Sequence, residues 1–376
     1  MSVPPQVLQQ MMAQQGQQAP QASSGPQGGM PMMPQQQQQQ APVPVQQPPL
    51  QDQLGQKEND ILSIEYKLNS LNIAEDMDEK ELDDIASDLI KRIKEDEASM
   101  KDWVDRNDQY LKLAMQVKER KSTPWPNAAN IKYPLLTIAA LQFQARAYPA
   151  IVNNKAIVKG KVIGYDPSGL KAEIAERIGK HMTYQLMDQI DNWDEDMDKL
   201  CLILPIIGSV FKKTCWDDLD QMVKSELIFP TEVILNYWAS SLKDARRITH
   251  KLLMYENTLI EKQRQGLFLD IKLSPPDIRS KSPEQEKRQL SRFQNSGSED
   301  VPYCFYECHT FLDLDKDGYK EPYIVVLDPK DSKVLRIAPN FSLSDIKKND
   351  KGKVIRIKAK QNFTIFNFIP SPDGGV

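Results

Sequence analysis

Cysteine, histidine and continuous apolar sequence are all scarce in this chain, and each scarcity removes a class of protein. Four cysteines in 376 residues do not make a disulfide framework, and a reduced compartment is the plainer reading. Three histidines leave little material for metal centres or acid–base work at neutral pH. The richest apolar run, Leu200 to Val210, is too short to span a bilayer and holds Pro205 and Gly208. The N-terminus has neither the basic start nor the apolar stretch of a signal peptide. An excess of one charge is missing too. Lys plus Arg number 48 against 52 Asp plus Glu, a formal charge of −4, which argues against a surface that is wholly a DNA footprint. A local basic patch or a neutral channel stays open. These absences predict a soluble intracellular protein with no membrane contact.

Residues 1–50 contain no Asp, Glu, Lys or Arg and no aromatic residue. Nothing there can build a core that offsets the entropy of ordering the chain. A disordered Gln/Pro-rich arm is expected over residues 1–56, with six consecutive glutamines at Gln35 to Gln40. It reads as a plain tail or as a tether for a partner. An acidic helical segment follows over 57–121. Apolar residues recur at helical spacing (Leu82, Ile85, Leu89, Ile93, Met100), while thirteen acidic residues face five basic ones between Glu75 and Asp105. One long helix or two in tandem should avoid DNA and face solvent or a basic partner.

Thr123-Pro124-Trp125-Pro126 stops that helix, because two alternate prolines force extended backbone before each. An α+β region is expected over 122–270. Leu135 to Ala147 reads as a helix with Ala139, Ala140, Ala145 and Ala147 allowing close packing, ended at Tyr148-Pro149. Ile151 to Tyr165 reads as strand and Asp166-Pro167-Ser168-Gly169 as a turn. Lys171 to Ile190 reads as a helix with an apolar face of Ile174, Ile178, Met182 and Leu186. Another helical stretch runs from Asp191 to Ile203. Ile206 to Trp216, Val233 to Leu235 and Ile248 to Met254 read as strands, and Glu256 to Gln265 as a helix ended by Gly266. Residues 271–300 read as a polar loop or surface segment. A β-rich region is expected over 301–376, with strands at Tyr303 to Thr310, Tyr323 to Leu327, Val334 to Ile337, Val354 to Ile357 and Phe363 to Phe368. The fold class is α+β. The abrupt ending after a Gly-Gly turn reads as a chain that continues in the intact protein.

Few residues point to chemistry. Asp313, Asp315 and Asp317, with Gly318, match the first half of a calcium loop, where alternate carboxylates converge on a hard cation. The second half fails, since position 12 falls on Ile324 and Pro322 stands where an exit helix should begin. A hairpin turn is the competing reading. Cys304, Cys308 and His309 invite zinc, but two cysteines on one strand face lie roughly 13 Å apart, too far to share an ion. The acids Asp191, Asp194, Glu195, Asp196 and Asp198 read as a solvated or subunit-facing surface. No phosphate-binding glycine loop and no nucleophile elbow occur, so neither ATP use nor catalysis is expected, and no cofactor. The strongest basic cluster runs from Lys347 to Lys360. Its alternation should place Lys353, Arg356 and Lys358 on one side of a strand as candidate contacts for DNA or an acidic partner, with a solvated face as the plainer reading.

A longer pattern goes further. Ser122 to Leu136 (Ser-Thr-Pro-Trp-Pro-Asn-Ala-Ala-Asn-Ile-Lys-Tyr-Pro-Leu-Leu) continues to Leu141-Gln142-Phe143-Gln144-Ala145-Arg146-Ala147-Tyr148-Pro149. This stretch resembles the N-terminal region of tailed-bacteriophage portal proteins. So do Asp244 to His250, Asp313 to Val325 and the terminal Phe368 to Gly375, in that order and spacing. The resemblance covers Thr123 to Val376 and implies the outer, wing portion of a non-enzymatic ring subunit. Such rings, usually of about twelve copies, sit at one capsid vertex and pass double-stranded DNA during packaging and ejection. Terminase, tail or head-completion adaptors, major capsid protein and scaffold are the implied partners. The implied location is the virion after assembly in the host cytoplasm. Stem, clip and channel loops would lie mostly beyond Val376, and the Gln/Pro arm departs from the family pattern. Trp125 and Tyr133 are candidates to position a helix against a neighbouring subunit, with plain intrachain packing equally open. Arg246 and Arg247 are candidates to pair with acidic segments of the same or an adjacent subunit. A head–tail connector, a calcium-dependent interaction module and a metal-dependent nucleic-acid enzyme are the alternatives.

Overall fold

A computed structural model describes residues 64–116, 123–126, 133–152, 157–217, 221–276, 301–349 and 354–369. The expected Gln/Pro arm, Lys353, most of the polar segment over 271–300 and the final residues from Pro370 lie outside them. The architecture is α+β, with helices concentrated towards the middle and strands towards the C-terminal third. No helix among the described residues is long and apolar enough to cross a membrane.

Helix α1 (Ile64–Asn69) leads through a 3-10 turn (Ile73–Asp76) into α2, a single 36-residue helix (Glu79–Ala114). Its apolar stripe of Leu82, Ala86, Leu89, Ile90 and Ile93 is buried. The stripe lies on a five-stranded antiparallel sheet of order β3-β4-β5-β6-β7, made of Val233–Leu235, Ile248–Met254, Tyr303–Leu312, Glu321–Asp328 and Lys333–Pro339. Because successive strand residues alternate faces, one face presents Ile234, Cys308, Tyr323, Val325 and Ile337 to α2. The other presents Phe305, Val326 and Leu335 to α6 (Glu256–Arg264) and the Leu267–Leu273 stretch. The edge at β7 is capped rather than left open. Buried Asn72 donates to the Leu335 carbonyl at 3.0 Å and accepts from the Ile337 amide at 3.0 Å, which continues the ladder without a strand.

A second, three-stranded antiparallel sheet has order β10-β1-β2, from Phe363–Asn367, Ser209–Asp217 and Met222–Ile228. It meets the first sheet through Phe211, Ile228, Ile248 and Phe363. Helix α5 (Trp193–Ile207) packs on β1 through Trp193, Met197, Leu200 and Val210. Helix α3 (Leu135–Ile151) runs beside α5. Helix α4 (Leu170–Tyr184), continued by a π turn (Gln185–Gln189), carries the chain between them. A short ribbon of β8 (Ile346–Lys348) and β9 (Val354–Ile357) completes the fold.

Several expectations need correction. Residues 157–165 form no strand; Val158 to Gly160 lie against α4 instead. Gly160 and Gly179 allow this approach, since a β-carbon at Gly179 would meet the Val158 carbonyl oxygen at 2.9 Å and one at Gly160 would meet that of Ala175 at 2.2 Å. The packing face of α4 is therefore its small residues. Ile174, Ile178 and Met182 of the expected apolar face are 46%, 52% and 43% exposed. Helix α3 passes Pro149 and ends at Ile151, because a proline in the last turn loses only one internal bond and the Val152 amide still reaches the Tyr148 carbonyl at 2.8 Å. Of its five alanines only Ala140 is buried. Likewise α5 extends through Pro205 to Ile207, so β1 starts at Ser209. Strands β2 and β8 were not expected.

Candidate functional site

The acidic residues of α2 find their basic partner in the chain's own sheet. Arg247, at the start of β4, is buried and places Nε 2.7 Å and Nη2 2.5 Å from Asp96 Oδ2. Asn236 donates to the other Asp96 oxygen at 3.1 Å, so this buried carboxylate is fully used. Lys251 reaches Glu97 at 2.5 Å, Lys333 reaches Asp83 at 2.9 Å and Glu79 at 3.0 Å, and Lys316 reaches Glu81 at 2.5 Å. Arg246, next along the chain, is exposed. Of the two adjacent arginines, the structure brings only Arg247 onto an acidic segment.

The Asp313–Gly318 loop is the tight connection between β5 and β6. Oxygens of Asp313, Asp315 and Asp317 lie within 4.8 Å of one another. Asp313 accepts from the amides of Asp317 at 3.1 Å and Gly318 at 3.0 Å, and Asp317 accepts from the Tyr319 amide at 2.7 Å. These bonds are what a turn with left-handed Lys316 and Gly318 needs. Asp315 faces a cation supplied by the protein. The buried ammonium of Lys67 on α1 sits 3.4 Å from Asp315 and 2.6 Å from Glu321. The Tyr323 hydroxyl donates to the same Glu321. Burial, then that carboxylate, push the Tyr323 phenol well above its ordinary range. Ile324, at calcium position 12, is a strand residue paired with His309.

A third charged cluster joins the two sheets, and no local pattern announces it. Lys213 on β1 crosses to Glu307 on β5 at 2.7 Å, and His309 Nε2 lies 2.8 Å from the same carboxylate. Phe363 of β10 packs edge-on against both His309 and His250. His250 is buried with Nδ1 unpartnered, and burial, then the Lys213 charge, pull its pKa down to about 4. Burial opposes the charge on Glu307, but Lys213 and His309 outweigh it and hold the acid below the usual carboxylate range. Burial likewise opposes the charge on Lys213, and Glu307 raises it. Only alternation after pairing puts these residues on one face, since His250 stands opposite Glu307 in the ladder.

The cysteines stay free and unclustered. Burial raises the Cys308 thiol to about 12, which makes it a small core residue rather than a nucleophile. Of the five acids expected on a solvated or subunit-facing surface, Asp191 and Glu195 are exposed, whereas the other three, on α5, bond to neighbouring elements. Asp194 accepts from the Tyr148 hydroxyl at 2.5 Å, Asp198 from Gln144 at 2.6 Å, and Asp196 from the Leu227 amide at 3.0 Å. They tie α3 and β2 to α5, and the Asp194 bond holds the Tyr148 phenol up at about 12. Lys212, next to Lys213, is buried 5.1 Å over the Trp193 ring.

Trp125 and Tyr133 are 64% and 78% exposed, so among the described residues neither is buried by its own chain. Arg356 and Lys358 are exposed at the β8–β9 ribbon, where a bulge at Ile355 replaces the even alternation expected over this stretch. No family model matches the chain, and no curated protein matches it.

Proposed function

We propose that this chain is the wing portion of a portal-type ring subunit, with a structural rather than catalytic role. The observation that carries the reading is the ordered resemblance of four separated segments between Thr123 and Val376 to that family. A second feature supports it. Leu170, Ile174, Ile178 and Met182 form an uncovered apolar stripe along α4, and the neighbouring Ile163 and Tyr165 are 90% and 86% exposed. Contiguous apolar surface of this kind marks contact with another molecule. Identical wedges meeting through unlike faces close into a ring. In that setting the ring passes double-stranded DNA through its centre, and its rim docks terminase and later the tail adaptor. Trp125 and Tyr133 are further exposed aromatic side chains that a neighbour could cover.

The test is negative-stain electron microscopy of the full-length gene product, counting subunits in end-on class averages. Rings of about twelve copies with a hole wide enough for duplex DNA are expected. Monomers or dimers at every salt concentration, also with the scaffold and capsid proteins co-expressed, would overturn the reading.

A further inference from the structure

The β8–β9 ribbon gathers charge of one sign that no other part of the described chain answers. Antiparallel pairing sets Ile346 opposite Ile357, with Ile357 buried, and therefore Lys347 opposite Arg356 on the outer face. Lys347, Lys348, Arg356, Lys358 and Lys360 are all exposed, and among the described residues none makes an ion pair. Among the described residues Asp345 is a nearby acid. Hydrogen bonds from Ser342 lower its pKa first and the Lys360 and Lys358 charges lower it further, but its Oδ2 already accepts from the Ser342 amide and hydroxyl. Like charges directly opposite one another weaken a strand pair, and a two-stranded ribbon in water is marginal to begin with. A cationic cross-strand pair on so short a ribbon is a cost to the free protein that a polyanion removes.

We propose that the outer face of this ribbon binds the phosphate backbone of a nucleic acid without reading its sequence. Four of the five cations are lysines. They act as flexible point charges that can follow a repeating line of phosphates without fixed geometry. Lys347 and Arg356 stand on an exposed ladder position, where a phosphate backbone can reach both without a base edge being read. The surface belongs to one subunit and does not depend on ring formation.

The experiment measures binding of a short fluorescent duplex DNA to the full chain by anisotropy across a salt series, with sedimentation run on the same samples. The double variant Lys347→Glu, Arg356→Glu should weaken binding roughly tenfold or more and lower the salt slope by about two, one per lost contact. The milder Lys347→Ala, Arg356→Ala variant should weaken binding while raising the thermal midpoint of the free protein, since it removes the repulsion. Affinity unchanged in both variants overturns the proposal. So does displacement of the DNA by polyglutamate where polyphosphate fails, which would assign the ribbon to an acidic protein. Monomers that bind through the ribbon support the surface while sinking the ring. Rings whose DNA binding ignores both substitutions sink the surface and leave the ring intact.

Discussion

Helices α2 and α4 carry apolar residues at the same spacing, yet one stripe is buried and the other stands in solvent. The difference lies in what surrounds each stripe. On α2, Asp83, Asp96 and Glu97 border the apolar residues and pair with Lys333, Arg247 and Lys251 on the sheet. On α4 the ion pairs run along the helix itself, Glu173 with Arg177 and Glu176 with Lys180, and among the described residues none of these four joins α4 to another element. Helix α4 docks instead through Gly179, where backbone meets backbone. Periodicity shows that a helix has an apolar face. Partners for the flanking charges, and small residues on the opposite side, decide which face the chain covers.

Breaking the α2 attachment should have the largest effect. Arg247→Ala leaves Asp96 buried and charged with one amide donor, and loss of one partner from a buried pair costs about 3–5 kcal/mol. Urea denaturation of the full chain reads this directly. A loss under about 0.5 kcal/mol, the size of an exposed pair, would show that Asp96 is solvated. Arg246→Ala, one residue away on an exposed side chain, is the control and should fall within about 0.5 kcal/mol.

Acid should act next, at the junction between the two sheets. The folded pKa of His250 is pulled from 6.5 to about 4, so the folded state takes up its proton later than the unfolded state. The stability from keeping this ring neutral is fully present above pH 6.5 and is lost as pH falls towards 4, in total about 3 kcal/mol. Below about 4 this group adds no further loss. His250→Gln should flatten the curve in that window, and the difference between the two proteins cancels the titration of carboxylates common to both. Parallel curves would show that His250 is not the group responsible.

A smaller effect tests how α4 docks. At Gly179 an added methyl would press on the Val158 carbonyl at 2.9 Å, and that oxygen is backbone with little room to yield. Gly179→Ala should cost about 1–3 kcal/mol despite the better helix propensity of alanine. A gain in stability would mean that residues 157–160 do not rest on the helix.

Much of the fold was legible because it is local. The long helix, the turn at Asp166–Gly169, Gly266 after α6 and the strands of the C-terminal third follow from spacing and turn chemistry. Strand β2 was missed because Met-Val-Lys-Ser-Glu-Leu-Ile breaks alternation with mixed charges, and pairing with β1 decides it. The 157–165 stretch has strand composition without a strand partner. Gly160 was the overlooked signal, since glycine in extended sequence also marks close backbone approach. The Asp loop was legible as a hairpin turn, but not the ammonium of Lys67, which arrives from 248 residues away. The same holds for Lys213 with Glu307, brought together across two sheets. Charged residues in a sequence look solvated until the topology supplies the partner.

The smallest effect on stability should have the largest effect on assembly. Ile174 and Ile178 are half exposed on α4, so Ile174→Lys with Ile178→Lys should change the unfolding free energy of the single subunit by no more than about 0.5 kcal/mol. If the α4 stripe meets a neighbouring copy, two buried ammonium groups would block that contact, and rings should disappear from electron micrographs while the circular dichroism spectrum stays unchanged. Reversing two equally exposed charges on the same helix, Glu173→Lys and Arg177→Glu, keeps their mutual pair and should leave rings intact. Intact rings in the lysine variant would place the subunit contact elsewhere on the wedge. A cooperative loss of folding would mean that the stripe packs within the chain, and α4 would then obey the same rule as α2.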